Sequence, residues 1–167
     1  MMQTLMQRVT FDTPLGRCAL AWHAAGLTGF SLPDAPILAD DVATPPPDIA
    51  AVIVRVRRHL SGEPQDFSDL RYDFTDLADF HRRVLRATLE IKSGHTRSYG
   101  EIAETIAELP VASRAVGAAL GANRWPLLIP CHRVVSSEGK MIGFSGPGGV
   151  KTKLRLLALE GAQLFGE

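Results

Sequence analysis

The chain holds two cysteines, Cys18 and Cys131, and they keep different company. Cys131 ends an apolar stretch and is followed at once by an imidazole and a guanidinium, in the string Pro130-Cys131-His132-Arg133-Val134. Positive charge beside a thiol raises the thiolate fraction, and thiolate is the nucleophilic form. Successive side chains on a strand point to opposite faces, so a direct Cys131–His132 contact needs a turn; otherwise a water bridges them. Adjacency alone leaves two readings open, an activated nucleophile or a small residue packed in a core. Cys18 lies in an apolar segment with Trp22, and both read as core. His23, His59, His81, His95 and His132 form no HxxxH pair and the cysteines no CxxC pair, so no metal site is expected. No GxGxxG loop follows a strand, which disfavours an enzyme with a bound methyl-donor cofactor.

The segments that must position Cys131 are short and well punctuated. Phe80, Val84, Leu85 and Leu89 predict a helix over 80–92, with Asp76 or Asp79 as its cap and Gly94 beyond its end. Ser98 and Glu101 have the spacing of a capping box ahead of Ile102, Ile106 and Leu109, and Pro110 breaks that helix. A further helix over about 112–122 is built almost wholly from small residues, with Arg114 its only charge. Gly117 and Gly121 each cost about 1 kcal/mol relative to alanine in a helix. A sequence that carries them has a use for close backbone approach, to another helix or to a ligand. Two short helices joined by a tight turn make a helix-turn-helix candidate. The first half reads as a small α+β unit. Strands are expected over 7–13 and 17–23 around Pro14-Leu15-Gly16, and a third over 27–32. A proline-rich loop over 33–47 leads to a helix over 49–60, stopped by Ser61-Gly62-Glu63-Pro64. Nothing in this half reads as chemical.

Charge divides along the same line. The net is zero, with 18 basic and 18 acidic residues. Residues 1–79 hold six basic and eleven acidic ones, leaving twelve and seven for residues 80–167, a net of −5 against +5. A basic half points to a polyanionic partner; the competing reading is chance segregation on solvated faces. Hydrophobic residues at 46% with charged ones at 22% exclude a disordered chain. No apolar run reaches the roughly 18 residues that span a bilayer. The first ten residues lack the apolar centre of a signal peptide, so no membrane association and a cytoplasmic location with reduced thiols are expected.

The string at Cys131 resembles the active-site signature of the O6-alkylguanine-DNA alkyltransferases, the methylated-DNA–protein-cysteine S-methyltransferases. Ser98-Tyr99 resembles the family's helix bearing an active-site tyrosine, and Ser113-Arg114-Ala115-Val116-Gly117 its recognition helix. Asn123 matches the asparagine before the signature. Gly143-Phe144-Ser145-Gly146 matches the loop over the base, and Leu157-Ala158-Leu159-Glu160-Gly161 the closing helix with its glutamate. The match runs from about 80 to 161 in family order. It implies two domains, a ribonuclease H-like sheet-plus-helix unit (1–79) and a winged helix-turn-helix alkyltransferase domain (80–167).

The resemblance also implies a mechanism. Cys131 is the nucleophile, His132 its base through a water, and Glu160 the group that orients the imidazole. Tyr99 gives a proton to the ring nitrogen of the leaving base, and the backbone around Ser145 donates to O6. Tyr99, Val134, Phe144, Ser145 and Asn123 form the substrate pocket. Arg114 fills the gap left by a flipped-out base, with Ser113, Ala115, Gly117, Ser137 and His81 also facing DNA in the minor groove. The partner is double-stranded DNA carrying O6-alkylguanine or O4-alkylthymine. No cofactor is implied, a monomer is expected in solution, and cooperativity on DNA stays open. Phe144 stands where several relatives have tyrosine, Pro147 where a second glycine is usual, and Arg124-Trp125 replaces a more polar stretch near the pocket mouth. Two readings compete: a protein that recognises alkylated bases without repairing them, whose known examples replace the signature cysteine, and a cysteine hydrolase, which leaves Tyr99 and Arg114 without a role.

Overall fold

Residues 7–31 form a three-stranded antiparallel sheet in the order β1 (Gln7–Thr13), β2 (Gly16–His23), β3 (Gly26–Ser31), with alternating burial along β1. The computed structural model describes residues 7–33, 44–106, 113–136 and 149–162. Val9 and Phe11 face inward from β1, opposite Leu20 and Cys18 of the central strand. All of residues 18–22 are buried, so β2 is covered on both faces. Helix α1 (Pro47–Leu60) lays Ile49, Val52, Ile53, Val56 and Leu60 into the core, a 3.6-residue stripe. It starts two residues before the expected position because Pro47 sits in its first turn, where its missing N–H costs nothing.

Four more α-helices follow among the described residues. They are α2 (Asp79–Leu89), α3 (Tyr99–Thr105), α4 (Ser113–Gly121) and α5 (Gly149–Leu159). A two-residue strand β4 (Arg97–Ser98) pairs in parallel with β5 (Val134–Val135). The capping box forms as the spacing predicts. Glu101 N donates to Ser98 Oγ at 3.0 Å, and Ser98 N donates to Glu101 Oε1 at 2.8 Å. The cap expected for α2 does not form. Ala78 occupies the N-cap without a side-chain bond, while Asp79 enters the first turn and Asp76 pairs with Arg124. Helix α2 also stops at Leu89, short of Lys92.

One apolar core runs through both halves of the chain. The outer edge of β3 is closed from both halves: Leu27 N donates to Arg71 O at 2.8 Å, Phe30 N donates to Arg124 O at 2.9 Å, and Trp125 Nε1 donates to Leu27 O at 3.1 Å. Trp125 is fully buried and meets Tyr72 and Phe74 edge-on, at centroid distances of 5.8 and 5.3 Å. The Arg124-Trp125 pair, expected near the pocket mouth, is instead the seam that joins the sheet to the segment leading into Cys131. Among the described residues no helix is long and apolar enough to cross a membrane.

Candidate active site

Cys131 is delivered by a clamped turn that begins just after α4. Asn123 Oδ1 accepts from Trp125 N at 2.9 Å, and Asn123 Nδ2 donates to Ile129 O at 2.9 Å. Between them Leu127 takes a φ of +80°, a conformation that costs a leucine of order 1–3 kcal/mol. The cost is met by packing, since Leu127, Leu128 and Ile129 are all buried. The chain then enters a single 3-10 turn, Cys131–Arg133, and continues into β5. That turn replaces the strict strand alternation that would have set Cys131 and His132 on opposite faces.

Behind the turn lies a buried carboxylate with three partners. Glu160, just past α5, accepts from His132 Nε2 at 3.0 and 2.9 Å through its two oxygens. It also accepts from Arg133 Nε at 2.9 Å and Nη2 at 2.7 Å, and from His59 Nε2 at 2.7 Å. Arg133 Nη1 is anchored separately on Ile91 O at 2.5 Å. Gly94, at φ +86°, lets the chain pass close to this corner; a Cβ there would lie 3.2 Å from Glu160 O. Because a carboxylate only accepts, His132 Nε2 carries a proton. Its Nδ1 is buried without a hydrogen-bond partner among the described residues. A neutral imidazole in this tautomer keeps an unshared lone pair on Nδ1.

The electrostatics follow from burial and these contacts. Burial opposes ionisation of Glu160, but the bonds from His132, His59 and Arg133 overrule it and hold the carboxyl far below its ordinary range. Burial also lowers His132, which Glu160 only partly offsets and the Arg133 charge reinforces, so the resting imidazole is neutral. Burial raises the Cys131 thiol against opposing pulls from the Asn123 side chain and the Lys153 charge. The resting pair is therefore thiol and neutral imidazole. Lys153 is fully buried, donates from Nζ to Val134 O at 2.8 Å, and is lowered by its burial against the pull of Cys131. Tyr99 is half-buried, and burial, followed by the charge that Cys131 carries once ionised, raises its hydroxyl, keeping it a proton donor.

The structure thus brings Cys131, His132, Glu160, Tyr99, Asn123 and buried Val134 together. On α4, Arg114 and Ala115 are exposed and Ser113 is partly so. Gly117 faces the Tyr99 ring, which a Cβ would meet at 3.8 Å. His81 is on α2, partly exposed. Ser137, Phe144, Ser145 and Pro147 lie outside the described residues, as do residues 109–112. The sequence reading missed His59 and Lys153 and gave Arg133 no contact of its own. It also expected no chemical residue in the first half, and His59 corrects that. The signals were present: His59 continues the buried face of α1, and Lys153 shares a buried stripe with Leu156 and Leu157 of α5 and with Glu160 just past its end. No group of His, Cys, Asp and Glu among the described residues is arranged to hold a metal.

Comparison with known proteins shows which family the chain resembles over most of its length. The family model described as "6-O-methylguanine DNA methyltransferase, DNA binding domain" matches residues 79–162. A methylated-DNA–protein-cysteine methyltransferase of Mycobacterium tuberculosis is 38% identical over 153 residues, covering 90% of each chain. A protein of Thermus thermophilus named DNA base-flipping protein is 40% identical over 116 residues, 67% of this chain and 76% of its own. The crystal structure of Mycobacterium tuberculosis OGT in complex with DNA superposes with a TM-score of 0.78 at 38% identity. It covers 93% of this chain and 92% of that one.

Proposed function

Because the chain belongs to the 6-O-methylguanine DNA methyltransferase family, we propose that it repairs DNA by moving the alkyl group from O6 of guanine, or O4 of thymine, irreversibly onto Cys131. The observation that carries this reading is the relay behind the thiol. His132 holds its proton on Nε2 toward buried Glu160 and leaves Nδ1 free to take the proton of Cys131, through a bridging water. The sulfur bonds to the alkyl carbon as the carbon–oxygen bond breaks, and the electron pair passes into the purine. Tyr99 supplies the proton that neutralises that charge, and its raised hydroxyl suits the task. Asn123 holds the turn and hydrogen-bonds the sulfur. Val134, Phe144 and Ser145 complete the pocket. A thioether has no good leaving group, so each molecule acts once.

The same reading assigns residues 1–79 to a ribonuclease H-like unit and 80–167 to a winged helix-turn-helix unit, with α3 and α4 as its helices. Helix α4 meets double-stranded DNA through Arg114, Ser113, Ala115 and Gly117, joined by Ser137 and His81. The protein is a monomer in solution and works in the cytoplasm. The outer face of α4 supports this docking: a Cβ at Gly121 would touch nothing within 4 Å and Ala115 and Ala118 are exposed, while Gly117 faces the Tyr99 ring and Ala119 is buried against the core. Arg114→Ala is expected to slow reaction with duplex DNA by roughly one to two orders of magnitude, the scale of unstacking a base, while sparing free O6-alkylguanine. Equal losses on both substrates would assign Arg114 a structural role instead.

Titration with excess methylated duplex tests the proposal directly. Product should plateau at one equivalent of protein. Product beyond one equivalent contradicts a single-use acceptor. A plateau at zero with tight binding would favour recognition without repair, the reading that Cys131 argues against.

A further inference from the structure

We propose that His59 is a positioning residue for the transfer step, through which the first half of the chain holds Glu160 in register with His132. The inference rests on the alkyltransferase reading above. His59 is on the last turn of α1, 2% exposed, against the Phe67 ring at 5.5 Å. Gln65 N donates to its Nδ1 at 3.0 Å. A backbone N–H can only donate, so Nδ1 accepts and the imidazole proton sits on Nε2. His59 Nε2 therefore donates to Glu160 Oε2, at 2.7 Å. The chain itself, through the bend after α1, selects the tautomer that serves the carboxylate.

That bond has a mechanical consequence. Arg133 already pairs side-on with both Glu160 oxygens through Nε and Nη2, a fork that satisfies a carboxylate unaided. His132 competes for the same two oxygens. A third donor, from a different element, leaves the carboxylate one orientation in which fork and imidazole are served together. Without His59, Glu160 can settle onto Arg133 and release the His132 ring, freeing Nδ1 to swing from the thiol. The groups facing His59 across this corner are Glu160, His132 and Arg133, and the wall is the Phe67 ring. Among the described residues His59 bonds Glu160 and Gln65 and packs on Phe67, so its effect reaches the reaction through Glu160.

The test compares His59→Met with His59→Gln, two side chains of matching length of which only glutamine can donate to Glu160. Single-turnover rate constants and dissociation constants are measured on a duplex carrying O6-methylguanine, with thermal midpoints as the check on folding. His59→Met is expected to slow transfer by about ten- to a hundredfold, the usual loss when an outer hydrogen bond that orients a reacting group is removed. Duplex affinity should stay unchanged, and His59→Gln should recover most of the rate. Wild-type transfer in His59→Met, or equal slowing in both variants at equal midpoints, overturns the positioning role and leaves the alkyltransferase reading standing. A wild-type protein that takes no methyl group from the duplex overturns both.

Discussion

Cys131→Ser is expected to abolish methyl transfer while leaving binding to methylated duplex nearly intact. The substitution changes one atom in a half-buried position on a turn held by Asn123 and by the packing of Leu127, Leu128 and Ile129, so the fold should survive it. What it removes is a soft nucleophile that His132 can ionise; a serine hydroxyl beside the same base ionises far less readily. Removing the nucleophile of a base-assisted relay costs roughly four to six orders of magnitude. Cys18 cannot substitute. It is 1% exposed in the central strand, and burial pushes its thiol up to about 11 against a hydrogen bond with Thr13. Transfer of a labelled methyl group, read beside gel-shift affinity, separates the two effects. Labelling of the serine variant at the wild-type rate would remove Cys131 from the reaction.

Glu160→Ala should damage both stability and chemistry. Its carboxylate is the shared acceptor for His59, His132 and Arg133. Deleting it leaves a guanidinium buried beside two imidazoles with no counter-charge, and breaking a buried pair from one side costs about 3–5 kcal/mol. Much of the stability of a domain this size is of that order, since typical totals are about 5–15 kcal/mol. Glu160→Gln should cost less, because it keeps one acceptor oxygen, but it should still slow transfer by weakening the imidazolium that forms on His132. The pH dependence has a definite sign. The folded-state value of Glu160 is depressed below the ordinary 4.5, so its contribution is present above that value and is lost as pH falls below it. Wild-type protein should therefore lose stability below about pH 4.5, and Glu160→Gln should show a shallower acid slope. Urea unfolding across that range measures both; a Glu160→Ala variant as stable as wild type would contradict the cluster.

Much of this was legible in the sequence because it is local. The three strands, α1, the capping box at Ser98 and the small-residue helix at Arg114 each carry their own periodicity or punctuation, and each formed within a few residues of its expected bounds. Cys131 and His132 are adjacent in sequence, so their string could be matched to a family. His59 could not be found that way. It is 101 residues from Glu160, and a histidine in the buried stripe of an amphipathic helix is ordinarily a core residue with a local partner. The cap of α2 failed because the two aspartates that could have served it are held elsewhere, Asp76 by Arg124, 48 residues on, and Asp79 by Arg83 one turn along the same helix. Trp125 looked like a pocket residue because it is close to Cys131 in sequence, yet its indole N–H reaches 98 residues back to Leu27. Long-range polar contacts carry no spacing signature.

The most direct test of the central claim is the intact mass of the protein, with peptide mapping, after incubation with an oligonucleotide duplex containing O6-methylguanine. The predicted result is a complete shift by one methyl group per chain, located on the peptide that contains Cys131, with unmodified guanine left in the duplex. A methyl group on Cys18, more than one per chain, or an unchanged mass after full binding of the duplex would contradict it.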